Sequence, residues 1–269
     1  MIIPFVKFQG TGNDFILIDG REITYSSLPV KLMCDRHFGI GADGLMILTN
    51  KPDYDFEMIY YNSDGNLSSM CGNGGRCIVQ WAHSLGVKPS GEYHFWAPDG
   101  AHDALVSNNH VSLKMNDVTN WQIIDNQTIE LNTGSPHYVH FGHSNLETLN
   151  LIDWAKSIRY SQHYAQHGIN VNTVTLGNSS ILEMRTYERG VEDETLSCGT
   201  GVTAAVLSSF ILRDTLGLEN QYSGAGPFET SMHTKGGDLS VSFEIHKGKF
   251  ANIWLNGPAK FVFSGEWSI

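Results

Sequence analysis

An α+β fold built from two related halves is what the sequence predicts, and three observations predict it. Short motifs occur twice in the same order: Thr11-Gly12-Asn13 and Thr133-Gly134-Ser135, then Gly39-Ile40-Gly41 and Gly168-Ile169-Asn170, then FEMIYYNSDG (56–65) and LEMRTYERG (182–190), then Cys71-Gly72-Asn73-Gly74 and Cys198-Gly199-Thr200-Gly201. Each half carries runs rich in aromatic and branched residues, the composition of strands. Each half also carries one long helical pattern, opened by its Cys-Gly-x-Gly. A repeat on this scale implies two homologous domains that meet near residues 115–120. Many strands with one long buried helix per half make the class α+β and not doubly wound.

The elements follow in order. Leu28 to Arg36 reads as a short helix with Pro29 near its start, and Val30, Met33 and Cys34 share its apolar face. EMIYY is a strand. After Cys71, the residues Ile78, Trp81, Ala82 and Leu85 fall at i, i+3, i+4 and i+7, and Gly86 suits the position just past a helix end. Arg76, Trp81 and Cys77 read as packing on this helix. VSLKM alternates as a half-buried strand. Ser144 and Glu147 have the spacing of a capping box, which predicts a helix opening at Ser144. EMRTY is the second copy of EMIYY. After Cys198, the residues Val202, Ala205, Val206, Ser209 and Phe210 repeat the helical face. DLSVSFEI closes the pattern as another alternating strand.

Composition narrows the function classes. The chain has 269 residues, of which 41% are hydrophobic, enough for full cores in one large or two ordinary domains. The net charge of −11, with no basic run, argues against binding a nucleic-acid backbone. MIIPFVKF lacks the basic and apolar regions of a signal peptide, and no apolar run approaches the roughly 20 residues of a membrane span. Four cysteines are too few for a disulfide scaffold, so a cytoplasmic protein with reduced thiols is expected.

The cysteine motifs point to chemistry. The first turn of a helix leaves backbone N–H groups unpaired, and with the helix dipole they attract anions. A cysteine placed there has its thiolate stabilised, and its pKa can fall from about 8.5 to roughly 3.5–7.5. The glycines let a ligand approach the main chain, so a carboxylate can accept from the amides of Gly72, Asn73, Gly199 and Thr200. Two such helix starts facing one cleft between the domains would set a thiol on each side of a bound carboxylate. That geometry suits removal of a proton from one face of a carbon and delivery to the other, with the amides stabilising the developing charge.

TGNDF, GIGADG, YNSDG, CGNGGRC, TGSPH, GINVN, YERG, CGTG and the closing NGPAKFVFSG together resemble the diaminopimelate epimerases, from about Lys7 to Gly265. The resemblance implies two domains related by a pseudo-twofold axis, each a curved antiparallel sheet or barrel around a central helix, with the active site between them. It implies an N-terminal half over 1–115, completed by a last strand near 260–269, and a C-terminal half over 116–259. It implies stereoinversion of L,L- to meso-diaminopimelate without pyridoxal phosphate, metal or other cofactor, in a homodimer. Cys71 and Cys198 would be the acid/base thiols, and His137 and Glu188 would tune them. Asn13, Asn62, Asn170, Glu188 and Arg189 would hold the distal end of the substrate.

Three departures from the family pattern stand out. Ser135 replaces an Asn that often binds substrate. Gly44 offers no side chain where some members have Gln. The stretch Val191-Glu192-Asp193-Glu194 is one residue longer than the usual E-R-G-x-G-E-T.

Rival readings remain at this level. A proline or hydroxyproline racemase of the same superfamily usually has His after the first glycine, where this chain has Asn73. A non-catalytic thiol-bearing module that binds an amino acid is the other alternative. C-x5-C is not an ordinary zinc spacing. His137, His140 and His143 lie three apart in a β-rich stretch, which sends successive members to opposite faces.

Overall fold

The computed structural model describes residues 2–23, 28–175, 181–216 and 226–268. They divide into two compact units, 1–113 with 257–269 and 114–256. The first unit holds β1 (Ile2–Gly10), β2 (Asn13–Asp19), α1 (Val30–Cys34), β3 (Gly44–Thr49), β4 (Glu57–Asn62), α2 (Gly72–Ser84), β5 (Glu92–Ala97), β6 (Gly100–Ser107) and β7 (His110–Lys114). The second holds β8 (Trp121–Asp125), β9 (Thr128–Asn132), β10 (Pro136–His140), α3 (Leu151–Arg159), β11 (Asn170–Thr175), β12 (Ile181–Glu188), β13 (Asp193–Thr195), α4 (Gly199–Thr215), β14 (Phe228–Thr234), β15 (Gly237–His246) and β16 (Lys249–Pro258). β17 (Lys260–Ser268) returns to the first unit and pairs with β1.

The ladders show the duplication directly. In the first unit β17, β1 and β2 are antiparallel neighbours, β2 and β3 are parallel, β3 and β4 antiparallel, β4 and β5 parallel, and β5, β6 and β7 antiparallel. In the second the same sequence of directions runs through β8, β9, β10, β11, β12, β14, β15 and β16. Each parallel β2–β3 and β10–β11 step is bridged by a short helix, α1 or α3, and the long helices α2 and α4 follow β4 and β12. The class is the α+β one expected, with a mixed sheet that is mostly antiparallel.

The long helices form where the periodicity placed them. Ile78, Trp81 and Ala82 of α2 are buried with Phe15, Met46 and Tyr60 from the strands. Gly86 stops the helix in a left-handed conformation, φ +71°, which glycine adopts without strain. α4 is buried on nearly every side. Its Phe210 sits edge-on to Phe243 and Phe250, with ring centroids 5.7 and 5.9 Å away, contacts that add to the burial of the ring itself. Met33 and Cys34 are buried on α1, as their spacing predicts.

Three details differ from the sequence reading. α1 covers Val30–Cys34 only, because the Asp35 side chain accepts from the amides of His37 and Phe38 at 2.8 Å each and turns the chain out of the helix. No helix opens at Ser144. Asn145 accepts from the amide of Glu147 at 2.8 Å, which makes a turn, and α3 begins later, capped by Asn150 on the amide of Asp153. The third difference is one of register. Gly39-Ile40-Gly41 matches Gly168-Ile169-Asn170 by letter, but Gly44 is the residue paired with Asn62, and Tyr60 and Thr186 pair with Met46 and Asn172. Aligning EMIYYN on EMRTYE therefore sets Gly44 against Asn170, three positions from the letter match.

Candidate active site

Cys71 and Cys198 hold the same local position in their units. Each is the N-cap of its long helix, with φ −111°, ψ 127° at Cys71 and φ −118°, ψ 112° at Cys198. Each carbonyl accepts the first intrahelical bond, from Gly75 at 2.7 Å and from Val202 at 2.9 Å. First-turn amides in this geometry have no partner within the helix. Gly72, Asn73, Gly199 and Thr200 supply such amides.

Asn13 opens β2 after a turn in which Thr11 and Gly12 have φ of +50° and +86°. Its Nδ2 donates to Asp43 Oδ2 at 2.5 Å, and its Oδ1 lies 3.6 Å from Cys71 Sγ and 3.5 Å from Asn73 Nδ2. Asp43 in turn shares the Arg36 guanidinium with Asp14, each at 2.7 Å. Burial pushes the Asp14 carboxyl up, but hydrogen bonds and charge from Arg36 and Lys7 outweigh it and hold the group at about 2. Asn73 Oδ1 accepts from Thr11 Oγ1 at 3.2 Å and from Arg76 Nη2 at 3.0 Å. Asn62 ends β4, opposite Gly44. A Cβ on Gly44 would stand 2.7 Å from the Tyr61 carbonyl oxygen, so this backbone has no room for a side chain there.

Beside Cys198 the arrangement is different. Its Sγ lies 3.4 Å from Thr200 Oγ1, and Thr200 Oγ1 lies 3.0 Å from His137 Nε2. His137 Nδ1 is 3.1 Å from Asn172 Nδ2, which also donates to the Tyr138 carbonyl at 3.1 Å. Thr186 Oγ1 donates to Asn172 Oδ1 at 2.9 Å. His137 is fully buried, and burial with the nearby Arg189 charge lowers its pKa to about 3, so the ring is neutral. Gly201 lets this group pack: a Cβ there would meet Asn172 Oδ1 at 2.8 Å.

Asn170 is spent on its own unit. Its Nδ2 donates to Ser135 Oγ at 2.7 Å and the Pro136 carbonyl at 2.9 Å, and its Oδ1 accepts the Arg189 amide at 2.9 Å. Ser135, the departure from the pattern, is thus the partner of Asn170. Arg189 reaches the His167 carbonyl at 3.1 Å. Glu188 ends β12, and burial raises its carboxyl pKa. In the longer loop Glu192 takes φ +59° and is held by Arg159 at 2.8 Å and Tyr160 at 2.8 Å.

The structure thus gathers Asn13 and Asn73 around Cys71, His137 and Thr200 around Cys198, and Asn170 with Arg189. Sequence reasoning passed over Asp43, Asn172 and Thr186, although all three lie inside quoted motifs. It also read Arg76 as packing. Arg76 is fully buried yet bonds Thr11 Oγ1 at 3.1 Å and Asn73 Oδ1, along with the carbonyls of Gly72 and Pro258. His137 and His140 do face opposite ways. His140 and His143 do not, because the strand ends at His140, and their rings come within 5.1 Å beside Trp154. Burial raises the thiols of Cys34, to about 12, and of Cys77 well above the usual range, which fits packing roles.

Comparison with known proteins identifies the family. A family model described as diaminopimelate epimerase matches residues 5–121. The diaminopimelate epimerase of Flavobacterium psychrophilum is 46% identical over 261 residues, covering 96% of this chain and 97% of that one. That of Chlorobaculum tepidum is 37% identical, covering 96% and 98%. Among solved structures, a Bacillus anthracis phenazine biosynthesis protein of the PhzF family superposes with a TM-score of 0.74 at 12% identity over 100% of both chains. A hydroxyproline epimerase from Agrobacterium vitis gives 0.66 at 11% identity, covering 99% and 91%, and both show the shared fold. With nearly full-length identity of this order to curated relatives, the chain belongs to the diaminopimelate epimerase family.

Proposed function

We propose that the chain inverts one α-carbon of diaminopimelate, L,L to meso, in the supply of lysine and peptidoglycan precursors. The observation that carries the reading is the pair of cysteines, each at the N-cap of a long helix with nearly the same backbone angles. One thiolate takes the α-proton. The C–H bond breaks, its electrons stay on carbon and spread toward the carboxylate, and the other thiol gives its proton to the opposite face. The amides of Gly72, Asn73, Gly199 and Thr200 receive the carboxylate.

His137 and Glu188 shape the surroundings of the second thiol. Asn13, Asn62, Asn170, Glu188 and Arg189 receive the distal amino acid, with Asn170 acting in part through Arg189. Two domains at 1–115 with 260–269 and at 116–259 are the units of this reading. A homodimer in the cytoplasm completes it, and the exposed Phe261, Val262 and Phe263 of β17 support the dimer. Among the described residues no helix is long and apolar enough to cross a membrane.

The test is incubation of L,L-diaminopimelate with the protein in deuterium oxide. Deuterium at the α-carbon with conversion to the meso form is expected. Cys71→Ala and Cys198→Ala should each lose inversion by a factor of about 1,000 or more. Turnover of proline in place of diaminopimelate, or full inversion by either variant, would overturn the proposal.

A further inference from the structure

The stretch Arg189-Gly190-Val191-Glu192, where the chain is longer than the family pattern, is built around one carboxylate. Pairing of Glu188 with Asp193 makes these residues the loop of a β12–β13 hairpin. Gly190 takes φ +93° and Glu192 φ +59°. The left-handed region suits glycine, and a glutamate holds it at a cost that its side-chain bonds must offset.

Glu192 has many such bonds. Arg159, the last residue of α3, donates to Glu192 Oε1 from Nη2 at 2.8 Å and from Nε at 3.2 Å. The Gly190 amide donates to the same oxygen at 3.2 Å. The hydroxyls of Tyr160 and Tyr187 donate to Oε2 at 2.8 and 3.3 Å. The Glu192 amide donates to the Glu188 carbonyl at 2.8 Å and closes the loop on itself. Burial pushes the Glu192 carboxyl up, but the bonds from Tyr160, Gly190 and Arg159 outweigh it and lower its pKa. With 13% and 31% of their side chains exposed, Arg159 and Glu192 are screened less than a surface pair.

What this carboxylate steadies is Arg189. Arg189 is exposed, and a free arginine side chain has many rotamers to lose. Its amide donates to Asn170 Oδ1 at 2.9 Å, and its Nη1 donates to the His167 carbonyl at 3.1 Å. Its stem lies against Gly168, where an added Cβ would stand 2.7 Å from Arg189 Cδ and 2.9 Å from Arg159 Cζ. The Arg159 head and the Arg189 stem therefore meet over one glycine. Without a partner the Arg159 charge would push the Arg189 guanidinium away, and Glu192 offsets that charge.

We propose that Glu192, gripped by Arg159 and Tyr160 at the end of α3, is a positioning residue for Arg189, presetting the guanidinium that receives the carboxylate at the distal, unreacting end of the substrate. This assignment rests on the functional reading above and deepens it at the distal subsite. The distal centre keeps its configuration, so contacts to it are alike in the ground and transition states, and their loss raises KM without lowering kcat. Binding must then order a loose arginine, which weakens it about three- to tenfold.

The test is steady-state kinetics with L,L-diaminopimelate. KM should rise about tenfold in Glu192→Ala and about threefold in Glu192→Gln, which keeps the shape and loses the charge, with kcat within about twofold of the unsubstituted protein in both. Arg189→Met should raise KM by itself. Adding Glu192→Ala to it should change KM no further, because the carboxylate then has nothing to position. A fall in kcat at unchanged KM, or the full rise in KM repeated in the Arg189→Met background, overturns the proposal.

A second measurement needs no substrate. Trypsin cuts after arginine, and mass spectrometry of the fragments reads cleavage between Arg189 and Gly190. In the folded protein that bond should be cut about tenfold or more slowly than in Glu192→Ala or Arg159→Met, since cleavage follows local opening. Equal rates overturn the proposal. Where Glu192→Ala fails to fold, Glu192→Gln carries both measurements. If the unsubstituted protein inverts no diaminopimelate, the functional reading fails, and the trypsin comparison alone decides whether Glu192 holds Arg189.

Discussion

Replacing Asn172 by leucine removes the centre of the Cys198 relay at nearly constant volume. Asn172 is fully buried and serves three partners, the Tyr138 carbonyl, His137 Nδ1 and Thr186 Oγ1. A buried polar group left without a partner costs about 1–3 kcal/mol. Three such groups, less what the buried leucine returns, give a net loss of about 3 kcal/mol. In a unit the size of 114–256, that lowers Tm by about 10 °C. Differential scanning calorimetry at pH 7.5 reads the shift, and urea unfolding checks it as a lower midpoint at unchanged slope.

Asn172→Asp sharpens the test. A carboxylate can only accept, so it calls for a proton on His137 Nδ1, and this variant should recover stability as the pH falls from 7 toward 5 where Asn172→Leu does not. A drop of less than about 2 °C for leucine, or identical acid behaviour of the two variants, would refute the assigned bonds.

Other outcomes follow from the same geometry. His137 has a folded pKa of about 3 against an ordinary 6.5, so the unfolded chain binds the extra proton first. Stability is therefore fully present above pH 6.5 and is lost as pH falls toward 3, by up to about 5 kcal/mol; urea midpoints should fall less steeply with acid in His137→Gln, and parallel curves would count against the buried neutral ring. Cys34, raised to about 12 by burial, and Cys77, raised further, should resist iodoacetamide at pH 8 in the folded protein while Cys198 reacts, as peptide mapping will show. Gly44→Gln should not restore a side-chain contact with substrate. The Cβ would meet the Tyr61 carbonyl oxygen at 2.7 Å and cost about 1–3 kcal/mol, seen as a lower Tm with no gain in KM.

Much of this was legible in the sequence for stated reasons. α2 and α4 announce themselves by a 3.6-residue period, and Gly86 by the left-handed turn it must make. The N-cap positions of Cys71 and Cys198 follow from the glycines beside them. What stayed hidden depends on contacts between distant strands. Ser144 and Glu147 satisfy a capping pattern, but Asn150 caps better and Asn145 captures the intervening amides. Asp43 draws no notice within its motif and Arg76 reads as helix packing until Asn13 and Asn73 are folded between them. The register of β3 cannot be taken from the letters G-I-G, since strand pairing with β4 selects Gly44 as the partner of Asn62.

That register exposes where the two copies have parted. Aligned on EMIYYN and EMRTYE, Met46 and Tyr60 stand where Asn172 and Thr186 stand, and TGNDF over TGSPH sets Phe15 where His137 stands. Gly74 and Gly201 sit third after their cysteines, and they report the same two neighbouring positions. A Cβ on Gly74 would touch Met46 Cε at 2.0 Å and Phe15 Cζ at 3.4 Å, and one on Gly201 would touch Asn172 Oδ1 at 2.8 Å and His137 Cε1 at 3.4 Å. Under one helix start lie Met46 and the rings of Phe15 and Tyr60, edge to face at 6.0 Å; under the other lie Asn172, His137 and Thr200, joined by hydrogen bonds. A polar neighbour of Cys71 comes from another element, Asn13 of β2, while one of Cys198 comes from its own helix, Thr200. Thr11 and Thr133 keep the older symmetry, each bonding the residue two after its cysteine, one at the Asn73 side chain at 3.2 Å and one at the Thr200 carbonyl at 2.8 Å. Duplication supplied two like helix starts, and substitution beneath them gave the two cysteines different surroundings.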